Sequence, residues 1–157
     1  MAHGAPDWWG ASYINILEQS LAYLTQRPYY GDGKVYTDNF QLPPGGTYKT
    51  FFSETGPGKI YSLVWSMKDV RYDYYMIKLE VDGDALIDMS LKMLTEDIGI
   101  ITRNDFIYYI LKNDVNLKYA LCLGCPIQFE SNFYLGLYQN HPEDTALCNV
   151  FAVYAKV

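Results

Sequence analysis

Cys122-Leu123-Gly124-Cys125 is the tightest grouping of reactive side chains in the sequence. A Cys-x-x-Cys pair supplies half of a tetrahedral zinc site, and only Cys148, His3 and His141 remain to complete the ligand set. Redox use of the motif wants a helix N-terminus in a βαβ setting, which the surrounding pattern does not offer. The thiols are therefore expected to be ordinary buried or half-buried side chains, at least one of the three staying free, with no metal and no cofactor. His3 and His141 have no Ser or Cys partner in a motif such as G-x-S-x-G, so a hydrolase triad has no support in the sequence. The carboxylates fall in pairs: Asp82 with Asp84 about a turn, Glu96 with Asp97 in a connector, and Glu143 with Asp144 in a polar loop. Their spacing matches no metal loop, and a glycosidase pair would need the fold to bring them together. Gly56-Pro57-Gly58 lacks the Lys-Ser/Thr of a phosphate loop and reads as a turn. The chain is expected not to be an enzyme.

The aromatic residues are the remaining feature. They make up 17% of the chain and include 16 tyrosines, a bias that suits strands and interfaces, because the ring covers apolar surface while the hydroxyl keeps a polar partner. Tyr72, Tyr74, Tyr75, Tyr134 and Tyr138, with Tyr108 and Tyr109, could form a sugar-binding platform or a subunit contact, and composition does not separate the two. The formal charge of −6 argues against a nucleic-acid partner, whose phosphates demand Lys and Arg. No run approaches the roughly 18 to 20 apolar residues that span a bilayer, and Met1 to Asp7 lacks the regions of a signal peptide, so no membrane is expected and synthesis is cytoplasmic.

At 157 residues the chain has room for one domain with a real core. Pro6, Trp8, Trp9 and Gly10 mark an extended arm whose indoles need a surface to dock on. From Ser12, a candidate N-cap, to about Thr25 the pattern is helical, with Ile14, Leu17, Leu21 and Leu24 on one seam, and Pro28 and Gly31 stop it. Two heptads do not hold a coiled coil alone, so packing of this helix on the rest of the chain is the simpler reading.

Beyond Gly33 short strands alternate with Gly, Pro and Asp, the pattern of an all-β sandwich. Strands are predicted over 34–41, 47–53 and 59–67. Met76 to Val81 alternates Ile77, Leu79 and Val81 against Lys78 and Glu80, Asp82-Gly83 is a tight-turn pair, and Ala85, Ile87, Met89 and Leu91 resume the alternation, which predicts a β-hairpin. A connector over 94–99 leads to a predicted strand over 106–111, whose apolar run also fits a helix. Ile127 and Phe129, then Phe133, Leu135 and Leu137, point inward, and a strand over 147–157 closes the fold. Eight or nine strands are expected, the number of a jelly roll.

Leu42-Pro43-Pro44-Gly45-Gly46-Thr47-Tyr48-Lys49-Thr50-Phe51-Phe52, then Gly56 to Tyr61 and the strand through Trp65, then Lys78 to Gly83, resemble the first jelly roll of trimeric fructofuranosidase-type glycoside hydrolases. The same passages are similar to single jelly-roll virion proteins of phages and archaeal viruses, as are Pro126 to Phe133, the closing strand through Tyr154, and the opening Gly4-Ala5-Pro6-Asp7. The hydrolases carry a second jelly roll that this chain lacks, so no catalytic residue is carried over. The resemblance implies a jelly-roll-like antiparallel β-sandwich over 29–157 behind an arm and short helix over 1–28. It further implies a virion structural protein, a capsid decoration or minor attachment protein, forming a homotrimer and contacting other virion proteins. Trp8, Trp9, Ile14, Leu17, Leu21 and Leu24 are its expected assembly interface. A carbohydrate-binding module using Tyr72, Tyr74, Tyr75, Tyr134 and Tyr138 is the alternative.

Overall fold

A computed structural model of the chain describes residues 33–100, 106–124 and 126–156. The arm, the helical seam and the boundary at residue 28 lie outside the described residues, as does Cys125. The described residues form two antiparallel sheets packed face to face. Ten strands run in chain order: β1 (Lys34–Leu42), β2 (Lys49–Thr55), β3 (Gly58–Lys68), β4 (Tyr75–Val81), β5 (Asp84–Ser90), β6 (Ile107–Asn113), β7 (Lys118–Leu123), β8 (Ile127–Phe129), β9 (Asn132–Gln139) and β10 (Ala146–Lys156). One sheet has the order β1-β10-β3-β7-β6, with β8 also on β3, and the other the order β2-β9-β4-β5.

The pairing explains the architecture. β1 pairs with β10, β2 with β9, β3 with β7 and β8, and β4 with β5. Such nesting of first with last is a long antiparallel hairpin rolled across two layers, which is a jelly roll. β7 and β8 meet β3 in registers that differ by one residue, Val64 facing Cys122 and Gly58 facing Phe129. They meet β3 one after the other, with Gly124 and Pro126 between the two paired stretches. β6 is an added hairpin arm on β7, so the sequence expectation of eight or nine strands is short of the ten found.

Alternation places the core between the layers. Leu63, Trp65 and Met67 of β3, Ile77 and Leu79 of β4, and Phe133, Leu135 and Leu137 of β9 are all essentially inaccessible. Bulges adjust the pattern at two points. The register of β2 shifts between Thr50 and Phe52, so successive residues Phe51 and Phe52 both turn inward, Phe51 onto Phe40 and Phe52 among Tyr36, Phe133 and Tyr154. In the β4–β5 hairpin the register shifts between Leu79 and Glu80, which leaves Ala85 exposed where simple alternation turned it inward. The predicted connector is a single wide π turn over Met93–Ile98, closed by Gly99 at φ +82°, whose amide reaches back to the Leu94 carbonyl.

Candidate functional site

The residues first examined for chemistry serve mainly to hold loops. Asp82 occupies the left-handed region at φ +54°, as an Asp-Gly turn allows, and this aims its carboxylate across to the β8–β9 turn. There Oδ1 accepts from the amides of Glu130 (2.9 Å), Ser131 (2.7 Å) and Asn132 (3.1 Å) and from the Ser131 hydroxyl (3.0 Å). Three successive amides form a backbone cradle for an anion, and the chain fills it with its own side chain. Those amides hold the Asp82 pKa down at about 2. Glu96 instead accepts from the Tyr72 hydroxyl (2.7 Å), and Asp144 sits in the loop that His141 caps. His141 Nδ1 accepts from the Asp144 amide (2.9 Å), and its ring meets Tyr74 edge-on at 4.6 Å. The carboxylate pairs are thus spread over separate turns.

Cys148 is buried and half-buried Cys122 lies on the outer face of the larger sheet. Burial pushes the Cys148 thiol up to about 12, so it is an inert core group. Among the described residues no three His, Cys, Asp or Glu side chains are placed to hold a metal ion, and no helix is long and apolar enough to cross a membrane.

The tyrosines separate into three settings. Tyr72 and Tyr75 are core residues, 7% and 0% exposed, which corrects their inclusion in an exposed aromatic set. Tyr72 joins Tyr119 and Tyr109 in a cluster at one end of the sandwich, where Tyr119 donates to Asp114 (3.0 Å) and the hydroxyls of Tyr109 and Thr95 lie 2.8 Å apart. Burial raises the pKa of Tyr119 to about 12 and that of Tyr109 further, so both remain neutral donors. Tyr134 and Tyr138 lie on the outer face of the smaller sheet. A Cβ on Gly136 would fall 2.2 Å from the Tyr134 hydroxyl, so that ring lies flat along its own strand. Tyr138 is held between the backbone of Gly46 and the edge of Tyr48, whose hydroxyl donates to Asp88 (2.8 Å). Tyr48 and Tyr138 line a recess of roughly 330 Å³ with Gln41, Pro43 and Thr47, but their faces are spent on the loop they pin.

What the sequence reading missed is a contrast between the two outer faces. The smaller sheet shows the Lys78–Glu80 ion pair and Asp88. On the larger sheet, pairing aligns Thr37, Phe151, Val64, Cys122 and Tyr108 in one row across five strands, and Asn39, Asn149, Ser66, Ala120 and Leu111 in the next. Neither row holds a charge. Val35, at 65% exposed, pairs with Val153 in the row beyond the first, and Leu147, Phe151 and Leu111 are 39%, 42% and 46% exposed. Lys68 and Lys118 form only the rim. The signal was present in the sequence as the outward half of each strand, but strand neighbours were needed to see it as a surface.

Among the described residues, fold and surface together define a jelly-roll sandwich with one sheet face bare of charge across its two central rows. No family model matches the chain, and no curated protein matches it. Among solved structures it is similar to a crystal structure of serine protease of Aeromonas sobria, with 9% identity and a TM-score of 0.34, over 88% of this chain and 30% of that one. It is also similar to the infectious bursal disease virus VP2 subviral particle, with 12% identity and a TM-score of 0.24, over 80% of this chain and 41% of that one. A structure of the Gx strain of the same virus gives 12% and 0.18, over 80% and 40%. The chain therefore spans less than half of each neighbour's length. The expectation that the chain is not an enzyme is corrected by the protease among these neighbours: missing motifs support no statement on activity. At these TM-scores none of the neighbours lends this chain an activity or a residue role.

Proposed function

We propose that this protein is a structural subunit of a virus particle, a capsid decoration or minor attachment protein, and that it works by packing against protein through the outer face of its larger sheet. The observation that carries this reading is the pair of charge-free rows crossing all five strands, with Phe151, Leu111 and Val35 presented to solvent. A monomeric chain keeps outward strand positions wet with charges, as the smaller sheet does, and an uncharged face that mixes exposed apolar side chains with Asn, Ser and Thr resembles the surface of a contact with other protein. Trp8, Trp9, Ile14, Leu17, Leu21 and Leu24 supply matching apolar surface in the same chain. The virion setting comes from the sequence resemblance to single jelly-roll virion proteins, whose assemblies are trimers. Sedimentation velocity on the full chain at micromolar concentration tests the reading. A discrete oligomer, a trimer on this account, is expected; a strict monomer across the accessible concentration range removes the physical basis of the proposal.

A further inference from the structure

Resting on that reading, the geometry points to the occupant of the bare face: residues 1–27 of a second copy of this chain, exchanged between neighbouring subunits. Three observations converge on it. The first is charge. Among those 27 residues only Asp7, Glu18 and Arg27 are charged, while Trp8, Trp9, Ile14, Leu17, Leu21 and Leu24 are large and apolar, so the segment matches a face whose two central rows carry no charge. Burying charges opposite such rows would leave them unpaired, and this segment brings almost none. The second is position. The segment joins the sandwich at Gly33, directly before β1, and β1 is the edge strand of this same sheet. Gly33 therefore lies at the rim of the face, two residues before Val35, and tethers the segment within reach of that edge.

The third is area. Five strands at roughly 4.8 Å spacing and about seven residues of roughly 3.3 Å rise make a face on the order of 450 Å². One segment seated on it hides about twice that in total, close to the roughly 1,000 Å² lower limit of a specific contact. Where each copy both gives and receives a segment, every subunit takes part in two such contacts, and the arrangement closes into a ring.

Two full-length variants test this by complementation. Phe151→Asp puts a charge in the centre of the face and leaves the segment intact; Leu17→Asp with Leu21→Asp spoils the segment and leaves the face intact. Each alone is expected to sediment at the 18.1 kDa of a single chain, and mixing the two restores a 1:1 complex, since the intact segment of the first seats on the intact face of the second. Near-UV circular dichroism confirms that each variant is folded, and Val35→Asp, at the most exposed position of the face, replaces Phe151→Asp if that one is not. A mixture that stays monomeric overturns the exchange. So does an oligomer that survives the segment substitutions, which would mean that the faces pair with each other and leaves the assembly reading standing. A monomeric parent protein whose chymotryptic cleavage after Trp9 is slow and becomes fast in Phe151→Asp would show that the segment covers its own sheet, overturning both exchange and the assembly reading.

Discussion

Gln139 offers the sharpest test of how the loops around the sandwich are held. It ends β9 with its amide 0% exposed, where Nε2 donates to the carbonyls of Leu42 (3.2 Å) and Asp144 (2.7 Å) and Oε1 accepts from the His141 amide (2.7 Å). One side chain thus ties the end of β1 to the loop before β10. Gln139→Leu keeps most of the volume and deletes all three bonds. The Leu42 carbonyl, in a buried setting, loses about 2 kcal/mol, while the partly buried groups of Asp144 and His141 regain some water and lose about 1 kcal/mol each, a total of about 4 kcal/mol. Urea titration followed by far-UV circular dichroism should show a lower midpoint at unchanged slope, because the exposed surface on unfolding is the same. A loss of under about 0.5 kcal/mol, the scale of an ordinary surface change, refutes the argument that this amide organises both loops. Gln139→Glu should be worse still near neutrality, with a carboxylate facing two carbonyls. That acid would be held protonated in the fold, so the variant should recover on acidification below about pH 4.3 and lose stability as pH rises above it.

Three further outcomes follow from the geometry. The Asp82 carboxylate has its folded pKa depressed to about 2, so its contribution is present above the ordinary carboxylate value of 3.8 and fades as pH falls toward 2; thermal melts should show an acid-limb loss in that window which Asp82→Asn, equally at ease at positive φ, lacks. Gly58→Ala would place a Cβ 2.5 Å from Phe129 Cζ and 2.7 Å from the Ala155 carbonyl oxygen, and should cost about 2 to 3 kcal/mol by chemical denaturation. Maleimide labelling at pH 8 with peptide mapping should modify half-buried Cys122 in the native protein and Cys148 only after urea is added, because burial keeps the Cys148 thiol protonated.

The sequence was most legible where period and turn chemistry agree. Ile77, Leu79 and Asp82-Gly83 were sufficient to place the β4–β5 hairpin, and Gly56-Pro57-Gly58 to place the start of β3. It misled where one extra residue shifts the pleat: Phe51 and Phe52 share a face only because of the β2 bulge, and Ala85 is exposed for a similar reason. β7 was illegible because Tyr119, Ala120 and Leu121 are buried in succession and no charge follows Lys118, so the strand shows no wet and dry alternation. The tyrosines were opaque for a different reason. Nothing local distinguishes Tyr75, sealed in the core, from Tyr74 beside it, which meets a histidine ring at the surface of a loop. The bare face was hidden most deeply, since its rows join residues from five strands spread between Val35 and Val153.

β10 lies between β1 and β3, and matches nine residues of the first and ten of the second. The centre of the larger sheet is therefore filled by the last of the described strands to be made. Until then two ladders stand open, and contacts spanning more than a hundred residues must wait, which predicts slow maturation and a vulnerable nascent state. Truncation near Val150 would leave β1 with half its partner and the sheet with a slot down its middle, an invitation to pairing with stray chains.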